Sequence, residues 1–496
     1  MSKPDFPLID TPFDVQYTAG RLGLVTSFIK LQAGFRFTIY ALARDSEGRV
    51  AVSFYNVVVP FVVILCTMVV IHEFGHFIVA KLLGIPAEVF SVGFGPRLFG
   101  FKLGETDFRF SAVPLGGYVR FKGENLEMLQ GKSEADADEF LAHAGWKRLL
   151  VALAGPVFNI VTAIVIPAAA IMIGFQDDVY NAQKVVIGEV KPGSTAEAAG
   201  LQKGDRIVAY RNRQNPTWQD FQDDVSVRFD EEIPLTVERN GQLLQLKVKP
   251  RAEKFGNDTI GRVDLDPPIT HINVNNVSSG TPAERAGLKA GDKIIAINGT
   301  PVFAWSHFRR TVQEGKEVTL AIERGGQPLE VKLTPEKQGD QYMIGISRSF
   351  DTVLVKANSL SEALSYGLAY NVRIVQMTGV VIKQMVNGSR SARNAIGGPL
   401  RIAKETATTY EMGGWSSIIR WMGILSLNLG VFNLLPIPVL DGGMILLIIV
   451  EWILGLVGMT LTMNMRERFQ QVGFVIVMLL MGFVIVNDSV SIFWSR

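Results

Sequence analysis

The sequence predicts a multi-pass α-helical membrane protein with four spans, a membrane-associated β-hairpin and two tandem α/β modules. Three observations carry this reading: apolar runs of membrane-crossing length towards both ends, ionisable residues set inside those runs, and a polar central stretch that repeats itself. Hydrophobic residues make up 48% of the chain and the formal net charge is +2, which excludes a disordered chain and gives no basis for a nucleic-acid partner. The one cysteine, Cys66, rules out an intrachain disulfide.

Residues 1–53 are mixed and polar, with no span-length run and no cleavable signal pattern; 22–43 is weakly amphipathic. A surface-lying tail or an over-long start both fit. The first span then runs over about 50–71 and closes on His72-Glu73-Phe74-Gly75-His76. On a helix the two histidines stand one turn apart on one face, where their imidazoles can fill two corners of a zinc tetrahedron. Glu73 lies beside them, placed to take a proton from water activated by the metal. Charged groups at membrane depth cost a few kcal/mol each, so their presence there points to function rather than to packing. The remaining histidines are His143, His271 and His307, and the last two fall in the polar centre. The third ligand is therefore expected to be a carboxylate, with His143 as the alternative.

Between 85 and 123, apolar and polar residues alternate about Gly116-Gly117, the pattern of a β-hairpin turning at the glycine pair. Its many apolar side chains predict that it dips into the membrane against protein. A second span covers about 149–175, entered through Trp146-Lys147-Arg148; Gly155, Pro156 and Asn159 inside it read as helix-packing residues.

From 176 to 351 the chain repeats. Gly193-Ser194-Thr195-Ala196-Glu197-Ala198-Ala199-Gly200-Leu201 returns as Gly280-Thr281-Pro282-Ala283-Glu284-Arg285-Ala286-Gly287-Leu288, and Trp218 and Phe221 return as Trp305 and Phe308. Two copies of one small module are present, and they resemble tandem PDZ domains of the bacterial protease type, which bind extended peptides at a sheet edge. Neither copy carries a Gly-Leu-Gly-Phe loop, so a spacer or steric-filter role stands beside peptide capture.

Residues 360–387 are amphipathic, suited either to the membrane surface or to packing on the second module. A third span follows at about 418–435. Pro436 and Pro438 break it, and Asp441-Gly442-Gly443 comes next, an acid at membrane depth that calls for a cation. Asp441 is thus the expected third ligand of a His2Asp zinc site with one open position. The amides of Asn428 and Asn433 suit substrate backbone, an oxyanion or neighbouring carbonyls. The apolar stretch 444–461, containing Glu451, reads as half-inserted, and the last span covers about 472–485. Basic residues between the first two spans, with Arg466 and Arg468, put those loops in the cytoplasm and the repeated modules outside. The expected layout is a tail (1–53), the first two spans with the hairpin (54–175), module one (176–265), module two (266–351), an amphipathic linker (352–412) and the last two spans (413–496).

The HExxH stretch in a first span, Gly93-Phe94-Gly95-Pro96 and Pro114-Leu115-Gly116-Gly117-Tyr118, the tandem modules, and 433–443 after a third span together resemble the site-2 intramembrane metalloproteases, in their bacterial RseP-type branch. The resemblance covers about residue 56 to the end. It implies a four-span zinc endopeptidase of the bacterial inner membrane. Its modules would lie on the periplasmic side and its active site towards the cytoplasm, in contact with membrane lipid. Such enzymes cut the transmembrane segment of a pre-trimmed single-span protein, either an anti-sigma factor or a remnant signal peptide. By position His72, His76 and Asp441 would hold the zinc, Glu73 would be the base, and Asn433 a substrate contact; the Gly116-Gly117 hairpin would offer the receiving strand edge. The long tail, and Met444 where a basic or histidine residue often follows Asp-Gly-Gly, depart from the pattern. Two other readings compete: a non-catalytic membrane PDZ scaffold or receptor with a vestigial metal site, and a metal-gated transporter. The transporter needs a continuous polar path through the spans, whereas the ionisable groups gather in one place.

Overall fold

The computed structural model describes residues 54–123, 139–255, 258–395 and 397–493, together with three tail strands, Val15–Ala19, Val25–Lys30 and Arg36–Tyr40, paired antiparallel in sequence order. The expectation for the rest of 1–53 lies outside the described residues. The chain forms two compact units. One comprises Met1–Ala170, Ser361–Asn371 and Ile396–Arg496, the other Ile171–Leu360 and Val372–Ala395.

In the first unit the HExxH stretch lies within the helix Phe54–Leu82, and a helix Gly145–Ile173 follows the hairpin. A 35-residue helix Pro399–Asn433, a 16-residue helix Asp441–Leu456 and a final helix Met463–Phe493 complete it. Among the described residues three helical stretches are long and apolar enough to cross a membrane: Val57–Leu82, Gly145–Ile173 and Asn464–Val490. The long helix carries Arg401, Lys404, Glu405, Glu411 and Arg420, which lower its hydropathy; the 16-residue helix, at about 1.5 Å per residue, falls short of a bilayer.

The hairpin differs from expectation in its turn. Its strands are Ala87–Leu103 and Thr106–Phe121, so the chain reverses at Gly104 and Glu105, with Gly104 at φ +61°. Both strands fold back on themselves: residues 89–92 pair with 107–110 on one side and with 117–120 on the other, and 99–103 pair with 106–110. Gly116, at φ +131°, is the corner between the two runs of the second strand rather than the hairpin turn. The alternation read from the sequence is real, but the glycine supplies a bend inside a strand, where a side chain would overlap the Phe94 ring.

The second unit holds the repeat. In the first module the sheet runs Gln242–Val248, Ile233–Arg239, Arg206–Tyr210, Arg213–Gln214; in the second it runs Gln327–Leu333, Val318–Arg324, Lys293–Ile297, Ile272–Val277, Ile346–Ser349. Each module has a one-turn helix, Thr195–Ala198 or Pro282–Arg285, and a longer one, Trp218–Val227 or Trp305–Gln313. Trp218 and Phe221 in one core answer to Phe308 in the other, all essentially inaccessible to water. An ion pair built on a buried aspartate repeats as well. Arg239 donates to Asp205 at 2.7 and 2.8 Å and to the Gly200 carbonyl, while Arg324 donates to Asp292 at 2.6 and 2.8 Å and to the Gly287 carbonyl.

The amphipathic stretch forms the helix Leu360–Val386. In the first unit, Asn371 donates to the Ala163 carbonyl at 2.8 Å. In the second unit, Arg373 pairs with Asp220 and Asp223, Lys383 with Glu231, and Gln384 donates to the Val227 carbonyl. Its soluble partner is therefore the first module rather than the second, because acidic residues line that side of the first module's longer helix.

Glu231 is held by Lys383 at 2.9 Å, Arg211 at 2.8 Å and Arg228 at 3.1 Å. The Lys383 hydrogen bond, with those of the two guanidinium groups, outweighs partial burial and pulls the carboxyl down to about 2 from its ordinary 4.5. A depressed carboxyl stabilises the fold fully above its unfolded value and loses that contribution as pH falls through its folded one. The Tm gap between wild type and Glu231→Gln is expected to be open at neutral pH and to close between about pH 4.5 and pH 2. Thermal unfolding of the detergent-solubilised protein across that range measures it, and a gap that does not change with pH counts against the assignment.

Candidate metal centre

His72 and His76 project from one face of Phe54–Leu82, both buried, with their Nε2 atoms 3.2 Å apart. The helix Gly145–Ile173 backs them closely. A Cβ on Gly75 would stand 2.6 Å from the Ala154 carbonyl oxygen, and one on Gly155 would overlap His76 Nε2 and lie 2.8 Å from His72 Cε1. Gly155, which reads from the sequence as a packing residue, is packed against the imidazoles themselves.

Asp441 reaches the same point from the opposite end of the sequence. After Asn433 the chain turns through Pro436 and Pro438, with Ile437 N donating to the Leu435 carbonyl at 2.7 Å and Leu440 N to the Ile437 carbonyl at 3.1 Å. A new helix starts at Asp441 itself. Gly442 and Gly443 let it start there, because a Cβ on either would run into the backbone of Leu434, Leu435 or Ile437. Val439 has φ +81°, a left-handed conformation that a β-branched side chain resists.

Asp441 Oδ2 stands 3.1 Å from His72 Nε2 and Oδ1 3.3 Å from His76 Nε2. Ligands about 2.0–2.1 Å from zinc at tetrahedral angles are roughly 3.3–3.4 Å apart; the two nitrogens, and the two carboxylate oxygens that each face one of them, meet at about that spacing, a triangle of side chains suited to one face of a zinc tetrahedron. Hydrogen bonding agrees. His76 Nδ1–H donates to the Val151 carbonyl at 2.7 Å, which leaves Nε2 with its lone pair, and Asp441 Oδ2 is buried without a hydrogen-bond donor. One shared proton satisfies a single contact of the three. A cation satisfies all of them.

A cleft of about 390 Å³ opens at this triangle. Glu73 lines it, and the Val119 N–H of the 117–121 run donates to Glu73 Oε2 at 3.0 Å. Gly117 and Tyr118 form part of the same wall. Asn433, the last residue of its helix, also lines the cleft, with Nδ2 3.2 Å from His72 Nε2. Asn428 does not line it, since five residues on an α-helix turn it about 140° away from Asn433. Gly116 stands one residue back, under the Phe94 ring. Among the described residues His72, His76 and Asp441 form the group able to share an ion, and His143 is not part of it.

The sequence profile of peptidase family M50 matches residues 60–480. The chain belongs to that family. It is 30% identical over 451 residues to the regulator of sigma-E protease RseP of Escherichia coli K12, covering 86% of this chain and 97% of that protein. It is 29% identical over 459 residues to RseP of Salmonella typhimurium 14028s, covering 86% and 97%. Among solved structures, the PDZ domain of an SdrC-like protein from Listeria monocytogenes aligns at 21% identity over 16% of this chain and 88% of that one, with a TM-score of 0.15, too low to bear on the fold. This M50 chain is a site-2-type intramembrane zinc metalloprotease.

Gly155→Ala places a methyl group where the imidazoles stand. It is expected to cut the bound zinc of purified protein at least 10-fold in metal analysis at limiting zinc. Zinc content equal to wild type would show that the two helices separate enough to admit the methyl group.

Proposed function

We propose that His72, His76 and Asp441 hold the zinc, that Glu73 is the general base, and that the enzyme cuts an extended stretch of a substrate's membrane-spanning segment laid along the 117–121 strand edge. The observation that carries the reading is the contact between that edge and the glutamate: Val119 N–H to Glu73 Oε2 at 3.0 Å. When bound, zinc supplies a Lewis acid that polarises a carbonyl and makes water nucleophilic near neutral pH. Glu73, with one oxygen tied to the strand, keeps the other for the proton of the attacking water and returns that proton to the leaving amine. Tethering by Val119 holds the carboxylate on the metal side of the cleft, so it need not be reoriented at each turnover.

A peptide bond inside a helix is screened by its own hydrogen bonds, so the substrate must unwind before it is cut. Once extended, its backbone donors and acceptors can pair with 117–121, and its side chains alternate into the cleft. Gly117 keeps that edge low, and Asn433 offers an amide to substrate backbone or to the developing oxyanion. Leu98, Phe99, Phe101 and Leu103 near the hairpin's turn are all more than 60% exposed or close to it, which supports a hairpin set against lipid. With Pro399–Asn433 as the fourth crossing, the sequence layout of four spans is retained, in an inner membrane with the 176–351 modules on the periplasmic side and the metal towards the cytoplasm.

The relatives are named as regulators of sigma-E, and a pre-trimmed single-span anti-sigma factor or a remnant signal peptide is the substrate class we infer for this chain. The paired modules are read as PDZ-type. In the second, the strand Ile346–Ser349 ends its sheet, and the short strand Gln341–Met343 before it is fastened to the longer helix by two Gln313–Tyr342 hydrogen bonds at 2.8 and 3.1 Å. Arg348, on that strand, lies over the Trp305 and Phe350 rings, and we read these tied-down contacts as favouring a size filter over constitutive peptide capture.

Glu73→Gln is expected to keep zinc at the wild-type level and lower cleavage of a single-span substrate about 10²- to 10⁴-fold. Wild-type turnover by the variant would remove Glu73 from the mechanism. Deleting residues 183–335 is expected to broaden the range of substrates cut while preserving chelator-sensitive turnover; a well-folded deletion without any turnover would discard the filter.

A further inference from the structure

Asn159 has no exposed surface, and its carboxamide faces His72 from the helix Gly145–Ile173: Nδ2 is 3.2 Å from His72 Nδ1, while Oδ1 has no partner. Ser426 Oγ donates to the Asn159 backbone carbonyl at 3.0 Å, and a Cβ on Gly430 would stand 3.3 Å from Asn159 Cβ, so the long helix presses on this turn of the span. The nitrogen and oxygen of a carboxamide have nearly the same shape, and their assignment follows from the hydrogen bonds they must make.

The two orientations make opposite demands on the imidazole. With Nδ2 towards His72, Nδ1 must accept, so the ring proton sits on Nε2 and points at His76 and Asp441, where it blocks the lone pair. With Oδ1 towards His72, Nδ1–H donates and Nε2 is left bare. His76 is already in that second state through the Val151 carbonyl. Two ligating imidazoles are needed, and the protein fixes one with a backbone oxygen. Among the described residues, the buried polar side-chain group facing the other's Nδ1 is this amide.

We propose that Asn159 is the positioning residue for His72. Its Oδ1 accepts Nδ1–H in the metal-competent state, and rotation of the amide by half a turn selects the tautomer that cannot bind an ion. The inference rests on the reading of His72 as a ligand.

The test uses full-length protein in nanodiscs and measures zinc affinity by chelator competition together with ¹⁵N-histidine NMR, tractable because the chain has only five histidines. Asn159→Leu, apolar and of similar size, is expected to weaken zinc about 10- to 100-fold, and Asn159→Asp, which only accepts, to restore it to within a few-fold of wild type. In zinc-loaded wild type His72 is expected as the Nδ1–H tautomer, with a proton shift in the hydrogen-bonded range that Asn159→Leu abolishes. Zinc binding by Asn159→Leu within twofold of wild type, or an Asp variant as weak as the Leu variant, overturns the proposal. So does a His72 Nδ1–H in wild type that shows no hydrogen bond, a reading that needs no variant to fold. His72→Ala separates the two failures. If it leaves zinc affinity unchanged the ligand reading falls, and if it abolishes zinc while Asn159→Leu does not, the positioning role alone falls.

Discussion

Two imidazole nitrogens 3.2 Å apart and the two oxygens of one carboxylate, 3.1 and 3.3 Å from them, meet in a largely buried place. On the proposed reading these atoms present lone pairs to one another, the surrounding fold forces the approach and an ion rewards it. The force is visible in the two helices behind the histidines. Glycine inside a helix costs about 1 kcal/mol relative to alanine, and both Gly75 and Gly155 sit where any side chain would part the helices or displace a ring. The helical penalty is accepted because it sets the distance between a backbone and two imidazoles.

The acid is brought in by a different device. Two prolines end the long helix, and the loop between them and Asp441 holds a β-branched residue, Val439, in a left-handed conformation that costs on the order of 1–3 kcal/mol. Gly442 and Gly443 then allow a helix to begin at Asp441, hard against that loop. Asp441 is therefore not on a flexible arm. It is the first residue of a rigid element whose start is wedged against the loop before it, and the strain lies within two residues of the group it aims.

The parts of this arrangement that the sequence makes legible are those with a period or a cost attached. His72, Glu73 and His76 announce themselves because helical spacing puts both rings on one face. Asp441 does so because an acid after a proline-broken apolar run needs a counter-charge. The repeat is readable from matching glycines and tryptophans, and the structure extends it to the Arg239–Asp205 and Arg324–Asp292 pairs. What stays hidden depends on tertiary neighbours. Alternation about Gly116-Gly117 says that strands are present, but Gly104 and Glu105 make the turn, since either glycine position suits a reversal and only pairing chooses between them. Asn159 looks like any amide in a packed span until the ring opposite it is known to be His72, and Asn428 and Asn433 are told apart only by which side of their helix meets the cleft.

On the proposed reading, the same short strand serves recognition and chemistry. Val119 offers its N–H to the glutamate from the run whose neighbours, Gly117 and Tyr118, wall the cleft, so a substrate strand aligned on that edge is aligned with the base in the same step. Strand pairing has a two-residue period, and a slip of one residue would turn every substrate side chain to the other face and carry the scissile carbonyl off the metal. A segment that remains helical has no free backbone groups to offer the edge. Selection between substrates then falls largely on the free energy of unwinding, where one glycine in place of alanine changes the cost by about 1 kcal/mol, or roughly fivefold in the population able to pair.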